Sequence, residues 1–218
     1  MARRALSRPT DSIFREPQGP EFRQERSRRS YEALLAAAEG LFAQHGYDAI
    51  GTPEIAEKAG VSVGTFYRYF DDKHEVYIEI MRRSMVSAYR ETIDRLTPER
   101  FVGRARRETI AEACSILFDH VLARPQLTRS FMEMSLRDPD VGELRRAFEQ
   151  LGCQRLAALI EAITPRDRVP DPEATAYVLY GAAMQCAYGL AVHLVPSPID
   201  RDRARAALAS FIERALFT

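Results

Sequence analysis

The stretch that decides the fold is TPEIAEKAGVSVGTFYRYFDDK, residues 52–73. Its first part predicts a short helix, because Thr52 can serve as a hydroxyl N-cap and Pro53 suits the first helical position. Gly60 ends this helix, and Ser62 is placed to cap the next one. A turn this tight forces two short helices to cross steeply, which predicts a helix-turn-helix.

The helices that complete this motif also have clear signals. A first helix is predicted from about Gln24 to Gln44, with Gly46 as its left-handed C-terminal cap. Its apolar stripe recurs at helical spacing and consists of Tyr31, Leu34, Leu35, Ala38, Leu41 and Phe42. The second helix of the motif is predicted over Val63–Phe70. Three helices around one small core are therefore expected.

This pattern resembles the N-terminal domain of the TetR (tetracycline repressor) family. The resemblance covers about residues 28–77 and includes Leu41-Phe42 and Gly46-Tyr47 at the end of the first helix. It implies an all-α fold of about nine helices, in which a three-helix DNA-binding domain precedes a helical ligand-binding and dimerisation domain. The expected divisions are a flexible basic arm at residues 1–23, the helix-turn-helix domain at 24–75 and the helical domain at 76–218.

The start of the second motif helix is suited to the major groove of DNA. Small residues are needed where backbone and base edges come close, and Gly64 otherwise costs a helix about 1 kcal/mol relative to Ala. The resemblance directs the hydroxyls of Tyr67 and Tyr69 at phosphates. Free N–H groups at the helix starts near Thr52 and Lys73 favour a phosphate oxygen.

The candidate DNA-binding residues are Arg28, Thr52, Ser62, Val63, Gly64, Thr65, Tyr67, Arg68, Tyr69 and Lys73. The alternative for these residues is a solvated surface with aromatic packing. Arg28 is as well explained by a solvated arm as by a minor-groove contact.

The charge balance excludes a globally basic DNA-binding body. The chain has 31 Lys and Arg residues against 31 Asp and Glu residues, so its formal net charge is zero. Residues 1–30 carry eight Arg residues against four acidic ones. DNA binding must therefore rest on placed contacts and a basic arm.

The rest of the chain predicts longer helices separated by short breaks. A fourth helix opens at Asp72, where Glu75 three residues later resembles a capping box, and it is expected to end near Pro98. Pro recurs at or just before most of the later helix starts. Those helices are predicted at roughly Glu99–Ala123, Gln126–Arg137, Val141–Ile163, Pro172–Leu194 and Ile199–Phe217.

Residues 172–194 are apolar nearly all round, so this helix must be covered on both sides. The resemblance implies a ligand pocket on one side and a second copy of the chain on the other. A four-helix interface with the last helix would give a two-fold homodimer and a palindromic operator, with half-sites roughly 34–36 Å apart. The candidate interface residues are Gly181, Ala182, Tyr188, Ala204, Ala207, Leu208 and Phe211.

A cluster of Met and aromatic residues in the second half is the candidate ligand pocket, with plain core as the alternative. Its members are Phe118, Phe131, Met132, Met134, Phe148, Leu151, Tyr177, Tyr180 and Met184. The sequence indicates no buried charged cluster on these helices, which favours a largely apolar ligand such as a lipid, an aromatic or a drug-like molecule. The second half can also serve association alone, in which case the protein is a ligand-independent or partner-regulated DNA-binding protein.

Several other classes of function are not supported. No HExxH, Gly-rich phosphate loop or nucleophile paired with a base occurs in the sequence, so an enzyme is not expected. The three cysteines and four histidines have no metal-ligand spacing, and neither a metal nor a cofactor is predicted. The absence of a long apolar run or a signal-peptide pattern predicts a cytoplasmic, nucleoid-associated protein without a membrane partner.

Overall fold

The computed structural model describes residues 25–103, 105–192 and 197–217, and the predicted basic arm lies outside them. Within these ranges every regular element is a helix, which confirms the all-α prediction. The α-helices are α1 Glu25–His45, α2 Thr52–Lys58, α3 Val63–Phe66, α4 Lys73–Glu91, α5 Ala105–Leu122, α6 Pro125–Arg137, α7 Pro139–Ile163, α8 Pro172–Ala191 and α9 Arg201–Phe217. Two 3₁₀-helices, Ile93–Arg95 and Pro98–Phe101, follow α4.

The helices form two compact units. The N-terminal unit runs to Val86 and also contains Ser130–Leu144, and the C-terminal unit contains Ser87–Arg129 and Arg145–Thr218. The boundaries therefore fall inside α4, α6 and α7. No described helix is long and apolar enough to cross a membrane.

The N-terminal unit is built on the apolar face of α1. Its predicted stripe is buried as expected at Tyr31, Leu34, Leu35, Ala38 and Phe42. Gly46 takes the left-handed conformation (φ +82°) that the sequence predicted, and its N–H donates to the carbonyl of Phe42 at 2.9 Å. Arg83 of α4 binds Glu32 of α1 at 2.7 Å, which fastens the two long helices together.

Aromatic contacts continue this core towards residues 130–144. The ring of Tyr77 lies 5.6 Å from that of Phe42 and 5.0 Å from that of Tyr47. Burial raises the pKa of Tyr77 to about 12, and its hydroxyl shares a 3.2 Å hydrogen bond with the hydroxyl of Ser130. Arg137 adds a pair of hydrogen bonds to the carboxylate of Asp48, at 2.8 and 2.7 Å. These contacts explain why the end of α6 belongs to the N-terminal unit.

Several helix limits differ from the predictions. Thr52 is not the N-cap of α2, because Gly51 takes that position without a side-chain hydrogen bond. The motif's second helix is α-helical over Val63–Phe66, and only a turn continues to Phe70. The fourth helix ends at Glu91, where the Thr92 hydroxyl donates to the carbonyl of Ala88 at 2.6 Å and the backbone turns out of the helix.

The fifth predicted helix also begins later than its sequence suggested. Residues from Glu99 were expected to be helical, whereas α5 begins at Ala105. Gly103 has φ +62°, a left-handed conformation that interrupts a right-handed helix, so the residues before it form a separate 3₁₀ turn.

The C-terminal unit holds two apolar clusters. The larger one joins α5, α8 and α9 and consists of Ile110, Cys114, Phe118, Val121, Ala187, Ala191 and Leu208. The smaller one lies among α7, α8 and α9 and consists of Ala157, Ile160, Val169, Ala176, Leu179 and Leu216. One face of α8 is thus used within the protomer.

Candidate nucleic-acid interface

The turn between α2 and α3 is closed by backbone hydrogen bonds. Gly60 has φ +69°, its N–H donates to the carbonyl of Glu57, and the N–H of Val61 donates to the carbonyl of Ala56, both at 3.0 Å. This is the Schellman arrangement that glycine permits at a helix end. It delivers the chain directly to Ser62 and fixes the start of α3.

Ser62 caps α3 as the sequence predicted. Its Oγ accepts the backbone N–H of Thr65 at 3.1 Å, and the hydroxyls of the two residues lie 2.9 Å apart. Both hydroxyls therefore have partners within the protein. They keep capacity for a further hydrogen bond, because each oxygen can donate once and accept twice.

The inner face of this segment is aromatic and buried. Phe66 is fully buried, and Phe70 stacks on Tyr31 of α1 with ring centroids 5.0 Å apart. Tyr69 packs edge-on against the same Tyr31 ring at 5.9 Å. Two of the three aromatic rings thus serve as core, and Tyr69 is half-buried.

The outer face exposes most of the other candidates. Val63 is 40% exposed and Tyr67 is 54% exposed, with Ser62, Gly64 and Arg68 also exposed. A Cβ added at Gly64 would meet only Ser62 Oγ, at an ordinary 3.8 Å. Packing inside the protein therefore does not require glycine at this position.

The hydroxyls of two candidate DNA-binding residues meet across the motif. Thr52 Oγ1 at the start of α2 lies 3.1 Å from Tyr67 Oη, just after α3. One of these oxygens donates to the other, which leaves one O–H of the pair for an external acceptor. A phosphate oxygen is such an acceptor, and hydroxyls are common donors to it.

The two candidate arginines have partners of their own. Arg68 lies over the ring of Tyr69, 5.6 Å from its centroid. Arg28 donates to both carboxylate oxygens of Glu25, at 3.1 and 2.9 Å, on the exposed start of α1. Exposed pairs of this kind are weak, so Arg28 can exchange Glu25 for another anion.

The side chain of Lys73 has a structural role that the sequence did not predict. Its Nζ donates to the carbonyls of Tyr47 and Ile50 at 2.9 and 2.7 Å and lies 3.5 Å from that of Asp48. The ammonium also lies 4.4 Å from the centroid of the Tyr47 ring. All three N–H groups are used within the protein, so Lys73 fastens the loop before α2 to the start of α4.

The capping at the start of α4 is close to the predicted box. The N–H of Glu75 donates to Asp72 Oδ1 at 2.9 Å, as expected. The Glu75 carboxylate accepts the N–H of Asp71 at 2.7 Å, where a capping box would use that of Asp72. Both contacts hold α4 in place after the recognition segment.

The candidate ligand residues are divided between the two units. Phe131, Met132 and Met134 lie in the N-terminal unit, and the other six lie in the C-terminal unit. Phe118 is fully buried in the larger apolar cluster. Tyr177 is 65% exposed, so within one protomer it lines no interior pocket.

Tyr180 and Tyr188 of α8 are different. Burial raises the pKa of Tyr180 and of Tyr188, the latter to about 12, and the charges of Glu149 and Arg145 act on both hydroxyls. Gly152 lets Tyr180 approach α7 closely, since a Cβ there would lie 2.6 Å from Tyr180 Cε2. Glu149 and Arg145 were not predicted as site residues, because no local signal links them to tyrosines on another helix.

The candidate interface residues separate into outward and inward positions. Gly181, Ala207 and Phe211 are exposed, whereas Ala182, Tyr188 and Ala204 are partly buried. Leu208 is 4% exposed and belongs to the larger core cluster, which its helical stripe alone did not indicate. Val178 is 57% exposed beside Tyr177 and was not among the predicted interface residues.

Comparison with known proteins identifies the N-terminal segment. The family described as "Bacterial regulatory proteins, tetR family" matches residues 34–80. The chain is 37% identical over 86 residues to the HTH-type transcriptional activator FasR of Mycolicibacterium smegmatis, which is 38% of this chain and 39% of that protein. It is 38% identical over 65 residues to the HTH-type transcriptional repressor KstR of the same organism, 30% of each. The chain thus spans about two-fifths or less of these relatives' length.

A solved structure extends the likeness to nearly the whole fold. The putative TetR-family transcriptional regulator from Mesorhizobium loti MAFF303099 aligns with a TM-score of 0.66 and 21% identity. The alignment covers 88% of this chain and 98% of that one. The matching relatives are transcriptional regulators and not enzymes, in agreement with the sequence.

Proposed function

We propose that the chain, whose residues 34–80 match the TetR family of bacterial regulatory proteins, is a DNA-binding transcriptional regulator of that family. The observation that carries the proposal is the exposed face of α2, α3 and the turn after α3. This face presents hydroxyls, an exposed arginine and an exposed glycine. These are groups that bind phosphates and allow close approach to base edges.

The proposed binding mode assigns a part to each of these groups. The Thr52–Tyr67 hydroxyl pair donates to a backbone phosphate, and Arg68 supplies a cation to a phosphate or a guanine. Val63, Gly64 and Thr65 enter the major groove, where their small size lets α3 lie deep. Lys73 and Tyr69 position this surface from within and do not contact DNA in this proposal.

Binding to the DNA upstream of the gene tests the proposal. Fluorescence anisotropy at low salt should give specific, saturable binding, which Thr52→Ala with Tyr67→Ala weakens at least about tenfold through lost phosphate contacts. Arg68→Ala should weaken binding and flatten its salt dependence, whereas the exposed Arg166→Ala should change neither. Absence of binding, or equal binding by all variants, would refute the proposal.

The same proposal includes a homodimer. Tyr177, Val178 and Gly181 form an apolar strip on the exposed side of α8, and Phe211 adds an exposed ring on α9. Covering this strip with a second copy buries it and gives two recognition surfaces related by a two-fold axis. The operator is then a palindrome with half-sites one helical turn apart.

We also propose that a small molecule releases the regulator from DNA and that it acts as a repressor. The C-terminal unit has the partly buried Tyr180 and Tyr188 within reach of the charges of Glu149 and Arg145. Such a site suits a mainly apolar molecule with one polar group, which refines the apolar ligand expected from sequence. Ligand binding would favour a conformer with lower DNA affinity.

A panel of fatty acids, steroids and aromatic drugs tests this part. A ligand should raise the melting temperature, lower operator affinity and lose both effects in Tyr180→Ala. Deletion of the gene should raise expression from the operator in a reporter strain. If DNA binds and no compound acts, the protein is a ligand-independent or partner-regulated DNA-binding protein.

A further inference from the structure

The junction of α6 and α7 brings three metal-binding side chains together with the first turn of α4. His74 is the second residue of α4, Asp138 lies between α6 and α7, and Asp140 is the second residue of α7. One potential ligand atom from each residue lies within 4.8 Å of the other two. All three residues belong to the N-terminal unit.

The contact between His74 and Asp138 has an unusual geometry. His74 Nε2 lies 3.0 Å from Asp138 Oδ2, a distance typical of a hydrogen bond. Nε2 is buried and nevertheless has no partner in hydrogen-bonding geometry within the described ranges. Buried polar atoms of native proteins are rarely left in this state. Two ligand atoms that bind the same metal ion also lie close together without a hydrogen bond between them. Their separation is roughly 3–3.5 Å when each atom lies about 2.1 Å from the ion.

The Asp138 carboxylate is held in an orientation that suits a ligand. Its Oδ1 accepts the backbone N–H groups of Asp140 and Val141, both at 3.1 Å, which caps α7. Oδ2 is thereby directed to His74. Hydrogen bonds that orient a ligand in this way are a regular feature of metal sites. The partial positive charge at the start of α7 opposes a cation, but the two carboxylates supply two full negative charges.

We propose that His74, Asp138 and Asp140 bind a divalent transition-metal ion, and that Zn²⁺ is the ion they fit best. One imidazole nitrogen and two carboxylate oxygens form a donor set that Zn²⁺ accepts in tetrahedral sites. Mg²⁺ and Ca²⁺ prefer oxygen ligands throughout. The side chains of His74 and Asp138 are 27% and 24% exposed, so water can reach the ion and complete its coordination.

The ion would join the start of α4 to the start of α7 within one unit. Because α4 directly follows the recognition turn, ion binding would restrain the helix that supports the DNA-binding surface. This consequence rests on the proposed function, whereas the binding of the ion does not. The experiment therefore measures ion binding without DNA.

Thermal unfolding of the full chain, treated with a chelator and then given Zn²⁺ alone, tests the site. At a free concentration of 100 times the dissociation constant, the melting temperature should rise by about 5–10 °C. Mg²⁺ and Ca²⁺ at the same concentration should give a much smaller rise. Calorimetric titration should give one Zn²⁺ per chain. No rise with Zn²⁺, or an equal rise with Mg²⁺, would overturn the proposal.

Matched variants locate the ion. His74→Gln and Asp140→Asn should each weaken Zn²⁺ binding at least about tenfold. The exposed residues changed in His45→Gln and Asp167→Asn lie outside the cluster, and these variants should bind as the parent does. Asp140→Asn keeps the backbone N–H that Asp138 accepts, so it tests the ligand without removing the cap. An equal response of all four variants would place Zn²⁺ elsewhere, such as at Cys153, and overturn the proposal.

Discussion

Two surfaces of this protein expose a tyrosine, and they differ in what surrounds it. Tyr67 follows α3, is 54% exposed and shares a hydrogen bond with the Thr52 hydroxyl. Tyr177 on α8 is 65% exposed and lies beside Val178 in an apolar strip. Polar neighbours suit the first ring to an anionic, hydrated partner such as DNA. Apolar neighbours suit the second to another protein surface, so exposure alone does not identify the partner.

The largest effect is expected from the core beneath the first surface. Phe66→Ala removes a fully buried ring from α3 and should lower the free energy of unfolding of the N-terminal unit by about 3–5 kcal/mol. Chemical denaturation followed by circular dichroism measures this loss. Val63→Ala, on the exposed side of the same turn, should change stability by less than about 0.5 kcal/mol. Equal losses in the two variants would show that α3 does not separate a core face from a binding face.

A charge introduced into the apolar strip of α8 should weaken the proposed homodimer. Tyr177→Asp should weaken the dimer by about 2 kcal/mol or more, which is roughly thirtyfold in its dissociation constant. Sedimentation or light scattering across a concentration series measures the change. Val102→Asp is the matched control, because Val102 is 72% exposed but belongs to the loop before α5 and not to the apolar strip of α8. A parent chain that stays monomeric would contradict the proposed interface.

Removal of the Tyr67 hydroxyl from the surface around α3 should weaken DNA binding. Tyr67→Phe keeps the ring and removes the hydroxyl, which should cost about 1.5–3 kcal/mol of DNA binding if it donates to a phosphate. Anisotropy titration with operator DNA measures the change. Tyr47→Phe is the control, because the ring of Tyr47 is packed on Phe42 and Tyr77. Unchanged affinity in Tyr67→Phe would reduce Tyr67 to a packing role.

How far the sequence could predict these surfaces depends on the range of the contacts. The caps at Gly46, Gly60 and Ser62 were predictable because each uses backbone groups within about five residues. Thr52 was misassigned because its hydroxyl bonds Tyr67, fifteen residues along the chain. The side-chain contacts of Lys73 were missed for the same reason, since their carbonyl partners precede it by more than twenty residues. The predicted phosphate contact at the start of α4 stays a prediction.

The C-terminal unit was harder to predict because its helices have weak amphipathic patterns. A helix such as α8, apolar nearly all round, does not indicate which face meets its own core. Leu208 and Tyr188 were therefore expected at a dimer interface, whereas Leu208 is buried within the protomer and Tyr188 is packed against the same cluster. The charged groups near Tyr180 were missed because charge on another helix leaves no trace in the apolar pattern.

Two glycines of the C-terminal unit, Gly152 and Gly181, differ in the space available for an added methyl group. Gly152→Ala would place a Cβ 2.6 Å from Tyr180 Cε2, so it should destabilise the unit by about 1–3 kcal/mol. Gly181 on α8 has nothing within 4 Å of an added Cβ, so Gly181→Ala should leave the monomer at least as stable. Thermal unfolding of dilute protein measures both. Equal destabilisation by the two variants would contradict the close packing of Tyr180 on α7.

The smallest effect on stability is expected from Gly64→Ala, which should stabilise the N-terminal unit and weaken DNA binding. Alanine is the better helix former, so Gly64→Ala should raise the stability of the N-terminal unit by up to about 1 kcal/mol, because within the described ranges the new methyl group would meet only Ser62 Oγ, at an ordinary 3.8 Å. The same methyl group would stand on the face proposed to enter the groove, so DNA affinity should fall. Gly40→Ala is the control: Gly40 also has open space around it but lies in α1, so that variant should gain stability and keep DNA affinity. Denaturation and anisotropy measured on both variants separate these effects, and unchanged affinity in Gly64→Ala would mean that α3 does not approach the base edges at this residue.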